Sequence, residues 1–152
     1  MKTVMLMASC LALAISPAAA LDQEFAAQLL ESAKNIERDA GLVSTSLKSK
    51  SMDAGDVRSK IDAMSGDVTK LQELVTRFEE GHPQMSQRDA AEWKQVKEKV
   101  QLLEIFHGQK QKLAAGDLSK NRTLLRAHAD GVARRALKLQ QTVTRLQKGP
   151  LS

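Results

Sequence analysis

From Leu29 to Phe78 an apolar side chain returns every three or four residues. The series is Leu29, Ala33, Ile36, Ala40, Val43 and Leu47, then Ala54, Val57, Ile61, Met64, Val68, Leu71, Val75 and Phe78. Lys50 alone falls out of step. A mean spacing of about 3.5 residues is that of helices lying side by side at a shallow angle. Leu125, Ala129, Val132, Ala136, Leu139, Val143 and Leu146 repeat the pattern near the C-terminus. A half-buried strand would need strict alternation, and no alternating β-branched run of strand length occurs. The chain is therefore expected to be all-helical. The pattern specifies architecture and says nothing about chemistry.

The stops in the chain divide it into four. Gly81-His82-Pro83 ends a helix sharply, because glycine accepts a left-handed cap and proline cannot continue the hydrogen-bond ladder. Gly116-Asp117 is a stop followed by a start, and Lys148-Gly149-Pro150 repeats the stop at the C-terminus. Ser86 and Asp89 have the spacing of a capping box, hydroxyl and carboxylate each covering a free amide. The softest break is the polar stretch Lys48-Ser49-Lys50-Ser51, with Ser51 as the expected N-cap. Helices are expected over roughly 22–49, 52–80, 86–115 and 118–148, each about 45 Å long. Nearly equal lengths and short connections predict an up-down-up-down four-helix bundle with coiled-coil-like heptad packing. The alternative is a long antiparallel helical hairpin in which 22–80 is one helix, since the heptad phase survives across Lys50. Alanines in the first helix (Ala26, Ala33, Ala40) permit close approach of a neighbour.

The first twenty residues read as an export signal. Met1-Lys2 is positive, Val4 to Ile15 is an apolar core of about a dozen residues, and Ser16-Pro17 breaks it before Ala18-Ala19-Ala20. The core is short of the roughly twenty residues needed to span a bilayer. Cleavage after Ala20 is expected to leave a single domain over 21–152, periplasmic or secreted. A lipoprotein would instead be cleaved before Cys10, but Leu11 to Ile15 stays apolar where a lipidated chain turns polar. Cys10 is the chain's one cysteine. Once it is removed, disulfides, thiol catalysis, thiolate-ligated metals and C-x-x-C-H haem attachment are all excluded.

Di-iron bundles use paired Glu-x-x-His motifs, and this chain has Glu79-Glu80-Gly81-His82 and Glu104-Ile105-Phe106-His107. His82 falls in the turn and cannot face a core beside Glu79. His107 continues the inner stripe Trp93, Val96, Val100, Leu103, but one histidine and one carboxylate make no di-metal site. Antiparallel pairing around Gly116 places Glu104 level with His128, within reach of a hydrogen bond. No metal and no cofactor are expected. Nucleophilic catalysis needs Ser, Thr or Cys beside an oriented base, and His82, His107 and His128 carry no such signature. No glycine-rich phosphate loop occurs. Asp53/Asp56 and Glu79-Glu80 read as helix-terminus and surface charges, and Trp93 and Met64 as core fillers. The chain carries no catalytic constellation, and an enzyme is not expected.

Charge is the uneven feature. Residues 52–80 hold seven acids against four bases, whereas 118–148 hold eight bases against Asp130 alone. Pairing between acidic and basic helices would account for Arg126 and Arg135, which flank the core stripe. Lys120, Arg134, Lys138, Arg145 and Lys148 fall on the opposite face as an outward ridge. Like charges four apart, such as Arg134 and Lys138, repel by a few tenths of a kcal/mol, roughly. Such a ridge suits an anionic partner.

Ile61-Asp62-Ala63-Met64 in the second segment and Trp93 early in the third, behind a signal peptide, resemble a loose group of small exported helical proteins of Gram-negative bacteria. The resemblance covers most of the expected mature chain and implies a helical fold. It implies no activity, so no functional residue is carried over. The Leu-Thr-x-x-Gln motif of exported helical chaperones is absent.

The leading expectation is a non-enzymatic extracytoplasmic binding or structural module meeting its partner through helix faces. An alternative is a binder of an anionic envelope surface (glycolipid, lipid or cell-wall polymer) through the last helix. Another is a carrier of a metal or small ligand. Nucleic acid is a poor partner, because export separates the chain from it and no aromatic platform accompanies the bases. A transmembrane span is not expected, and an alanine-rich seam is compatible with a homo-oligomer.

Overall fold

Asp22, Asp53, Ser86 and Asp117 start four helices in a computed structural model that describes residues 21–148. These are α1 (Gln23–Ser46), α2 (Ala54–Gly81), α3 (Gln87–Ala115) and α4 (Leu118–Gln147), with no strand among the described residues. The expected signal segment, Cys10 and the Gly149-Pro150 stop lie outside them. Each helix start has a side chain over its free amides. Asp53 accepts from Gly55 N at 2.8 Å and Asp56 N at 3.1 Å, and Asp117 from Ser119 N at 3.0 Å. Asp117 is held below the ordinary carboxylate range, chiefly by the Ser119 hydroxyl.

Two capping expectations need correction. Asp53, not Ser51, caps α2, since a carboxylate also complements the positive end of the helix dipole. Ser51 bonds to Ser49 instead. At α3, Ser86 Oγ accepts from Asp89 N at 3.1 Å as expected. The return bond to the Ser86 amide is replaced by Ser86 Oγ donating to Asp89 Oδ2 at 2.7 Å.

The turn over Leu47–Asp53 separates α1 from α2, so the bundle forms and the long-hairpin alternative does not. Arg122 of α4 donates to the carbonyls of Leu47 and Ser49, tying that turn down. Arg58 likewise donates to Ala114 O at 3.1 Å and Gly116 O at 3.4 Å. Both place a cation at a helix C-terminus, where the dipole favours it.

The packed pairs are α1/α2, α2/α3, α3/α4 and α4/α1, a square ring in which α2 is diagonal to α4. α1 and α4 pack most extensively and the α2/α3 seam is the loosest. Ala26, Ala33 and Ala40 of α1 and Ala129 and Ala136 of α4 are all fully buried. Every member of the 29–78 apolar series is buried except Ala54, which is partly so. At one end Phe25, Phe78 and Trp93 cluster, with Phe78–Trp93 centroids at 4.0 Å and Phe25–Phe78 at 5.2 Å. His82 caps α2 in the turn and stacks on Phe78 at 4.3 Å. No helix of the described residues is long and apolar enough to cross a membrane.

Candidate functional site

Among the described residues no ion pair joins α4 to another helix. α2 holds six acids to four bases and α4 one acid to seven bases, but the two sit across the diagonal. The expected pairing between them does not form. Arg126 is exposed, with no ion pair among the described residues. Arg135 lies over the Phe106 ring of α3, its guanidinium carbon 3.4 Å from the ring centre. Such a contact contributes about 0.5–2 kcal/mol. Arg135 Nη1 also donates to Gly131 O at 3.0 Å. A Cβ at Gly131 would stand 3.2 Å from that nitrogen, so the missing side chain leaves room for the arginine to fold back onto the ring.

Beside this stack is a groove of about 430 Å³ between α3 and α4, lined by Lys99, Leu102, Arg134, Arg135 and Lys138. Among the described residues, four cations line it and no carboxylate does. None of the four takes part in an ion pair among the described residues. The five ridge residues named from the sequence are all exposed. The groove brings together Arg134 and Lys138. Arg145 donates to Gln95 of α3 at 2.8 Å, so a neighbouring helix does reach it, contrary to expectation. Lys120 lies at the far end of α4, 3.8 Å from Asp117, and Lys148 is the α4 C-cap. Lys99 had no signal of its own: it joins the site only through the α3/α4 register. In chemical terms the groove offers two guanidinium forks and two ammonium groups, a donor set suited to phosphate or carboxylate oxygens.

A second polar cluster crosses the α2/α3 seam. His107 Nε2 and Ser65 Oγ share a hydrogen bond at 2.9 Å, and Gln111 Nε2 donates to Ser65 Oγ at 2.7 Å. His107 Nδ1 is buried without a partner, so the Ser65–His107 pair lacks the third group that orients a catalytic base. Burial, then the neighbouring Lys110, push His107 down to about 4. Lys110 itself is 0% exposed, its Nζ 3.0 Å from Met64 Sδ with no oxygen acceptor. Burial pushes it down to about 7, opposed weakly by Asp39.

The Glu104–His128 hydrogen bond does not form. Glu104 turns to a shallow groove on the α2 side, with Ser65, Gln72 and Gln101, whereas His128 packs on Phe106 on the α4 side. Among the described residues no three His, Cys, Asp or Glu side chains gather as a metal set. Trp93 is 4% exposed inside the aromatic cluster, a core residue rather than a stacking platform. No family model, curated protein or solved structure matches this chain.

Proposed function

We propose that this protein is an exported, non-enzymatic helical binding module whose α3/α4 groove takes an anionic partner in the cell envelope. The observation that carries this reading is the set Lys99, Arg134, Arg135 and Lys138 around one groove without a carboxylate. Mutual repulsion among like charges is a cost that folding alone does not require. Arg135 is held in place by Phe106 and Gly131, so less side-chain freedom is lost when an anion binds it. Export rests on the pattern of residues 1–20. It predicts that the protein recovered from cells begins at Leu21, which N-terminal mass spectrometry checks. A retained Met1 would remove the envelope from the proposal.

The groove is tested with a soluble polyphosphate as probe. Binding is expected to weaken steeply with salt, as counterions compete. The double variant R134Q/K138Q is expected to bind about tenfold to thirtyfold more weakly, at roughly 1 kcal/mol per cation. Both side chains are exposed, so helicity should be unchanged. An isotherm identical to wild type would rule the groove out.

A further inference from the structure

The basic residues of α4 and three of the five large exposed apolar side chains of the described residues, Leu102, Ile105 and Leu124, lie on the α3 and α4 helices on one side of the bundle; Leu137 of α4 and Leu42 of α1 are the other two. The ridge residues run along α4 from Lys120 to Lys148, 28 residues and so about 42 Å. α3 adds Lys99 beside them, whereas Lys112 lines the groove toward α2. Leu102 and Ile105, one turn apart on the outer face of α3, are 44% and 54% exposed. Leu124 of α4 is 52% exposed and, by helical periodicity, lies on the flank that faces α3. Glu98 shares that outer face of α3, and Lys94 lies 3.8 Å from it. The two helices on the far side are acidic: α1 holds four acids to two bases, and α2 six to four.

A small anion would use one turn of this surface. A soluble polyanion would use the cations and leave Ile105 and Leu124 in water. A phospholipid bilayer uses both, since phosphate headgroups meet the cations and the aliphatic side chains enter the headgroup–acyl boundary. Lysine and arginine stems add apolar contact while their charged ends stay at headgroup level. The acidic α1/α2 side is repelled by the same membrane, which orients the bundle. We infer that the anionic partner is the surface of an anionic phospholipid bilayer, on which the bundle lies flat with α3 and α4 down. This inference rests on the groove reading above.

The test is sedimentation of the full mature chain with vesicles of mixed phosphatidylglycerol and phosphatidylcholine, beside vesicles of phosphatidylcholine alone and soluble polyphosphate. The wild type is expected to bind the anionic vesicles in a salt-sensitive way and to ignore the neutral ones. I105Q/L124Q, two exposed side chains outside the groove lining, is expected to lower vesicle partition about tenfold, given the apolar area it withholds, and to leave polyphosphate binding unchanged. Unchanged helicity by circular dichroism certifies the fold of the variant. Should I105Q/L124Q bind anionic vesicles as well as wild type, the surface reads charge only and the bilayer inference falls. The inference falls alone if the wild type binds polyphosphate but not vesicles. Failure of the wild type to bind either anionic vesicles or polyphosphate would instead overturn the groove reading itself.

Discussion

Lys110→Met raises the thermal midpoint at pH 7 by roughly 10 °C. Lys110 is the largest fully buried side chain of the described residues, and its amine meets a thioether where a charged group needs oxygen. Removing an ammonium from water without an acceptor costs several kcal/mol, approximately, unless the group gives up its proton. The amine does so, at about 7 instead of the usual 10.5. The unfolded chain holds the proton up to about 10.5, so between these values it binds more protons than the folded chain. Stability therefore rises with pH across that window. The penalty is present in full below about 7 and gone above about 10.5. With about 1.4 kcal/mol for each tenfold change in proton affinity, it amounts to about 3–5 kcal/mol. Methionine fills similar volume beside Met64 without the charge. Chemical denaturation from pH 6 to 11 checks this: wild type should gain stability over the window and the variant should stay level. His107 adds a second window with the same sign, between about 4 and 6.5. Both groups cross the α2/α3 seam. The acids opposing them are Asp39 on α1 and Asp62 on α2, and the ring beside Phe106 is His128 of α4. If Lys110→Met instead loses stability at pH 7, the ammonium is solvated in the fold and the account of the seam is wrong.

Lys110 marks where reading the stripe stopped short. Trp93, Val96, Val100, Leu103 and His107 were legible as an inner face, and all are buried. One more step of three reaches Lys110, which is also buried; residue type hid what spacing already placed. Helix number and stops were legible because glycine, proline and capping side chains act within a few residues. Asp53 displaced Ser51 because both are competent caps, and the choice depends on where the turn ends. The site was half legible. Arg134 and Lys138 announce themselves by lying opposite the core stripe, a property of α4 alone. Lys99 and Arg135 do not, because their place depends on the ring order and on the α3/α4 register. The same ring order removes the acidic partners that α2 could have supplied. Glu104 and His128 are turned to different flanks, and rotation about the helix axis is not contained in the register.

Phe78→Ala is expected to cost about 3–5 kcal/mol and to lower the midpoint by at least roughly 10 °C. Phe78 sits at the centre of the aromatic end of the bundle, against Phe25, Trp93 and His82. These rings join the start of α1, the end of α2 and the start of α3, with the Lys97–Glu79 ion pair at 2.8 Å a further link between α2 and α3. Beyond the area it buries, each aromatic pair contributes about 0.5–1.5 kcal/mol. Phe78→Leu keeps most of the area and loses the ring contacts, so its loss should be smaller. The chain has no tyrosine and one tryptophan, so its fluorescence reports Trp93 without interference. Emission should shift to the red in Phe78→Ala as water reaches the indole. Lys99 follows Trp93 by six residues, about 9 Å along α3, so a loosened start of α3 also moves one wall of the groove. Polyphosphate binding should therefore weaken in step with the red shift, by less than in R134Q/K138Q because all four cations remain. A red shift with binding unchanged would mean that Lys99 is positioned by the α3/α4 contacts alone. A midpoint within a degree of wild type would mean that the aromatic cluster does not fasten the three helices.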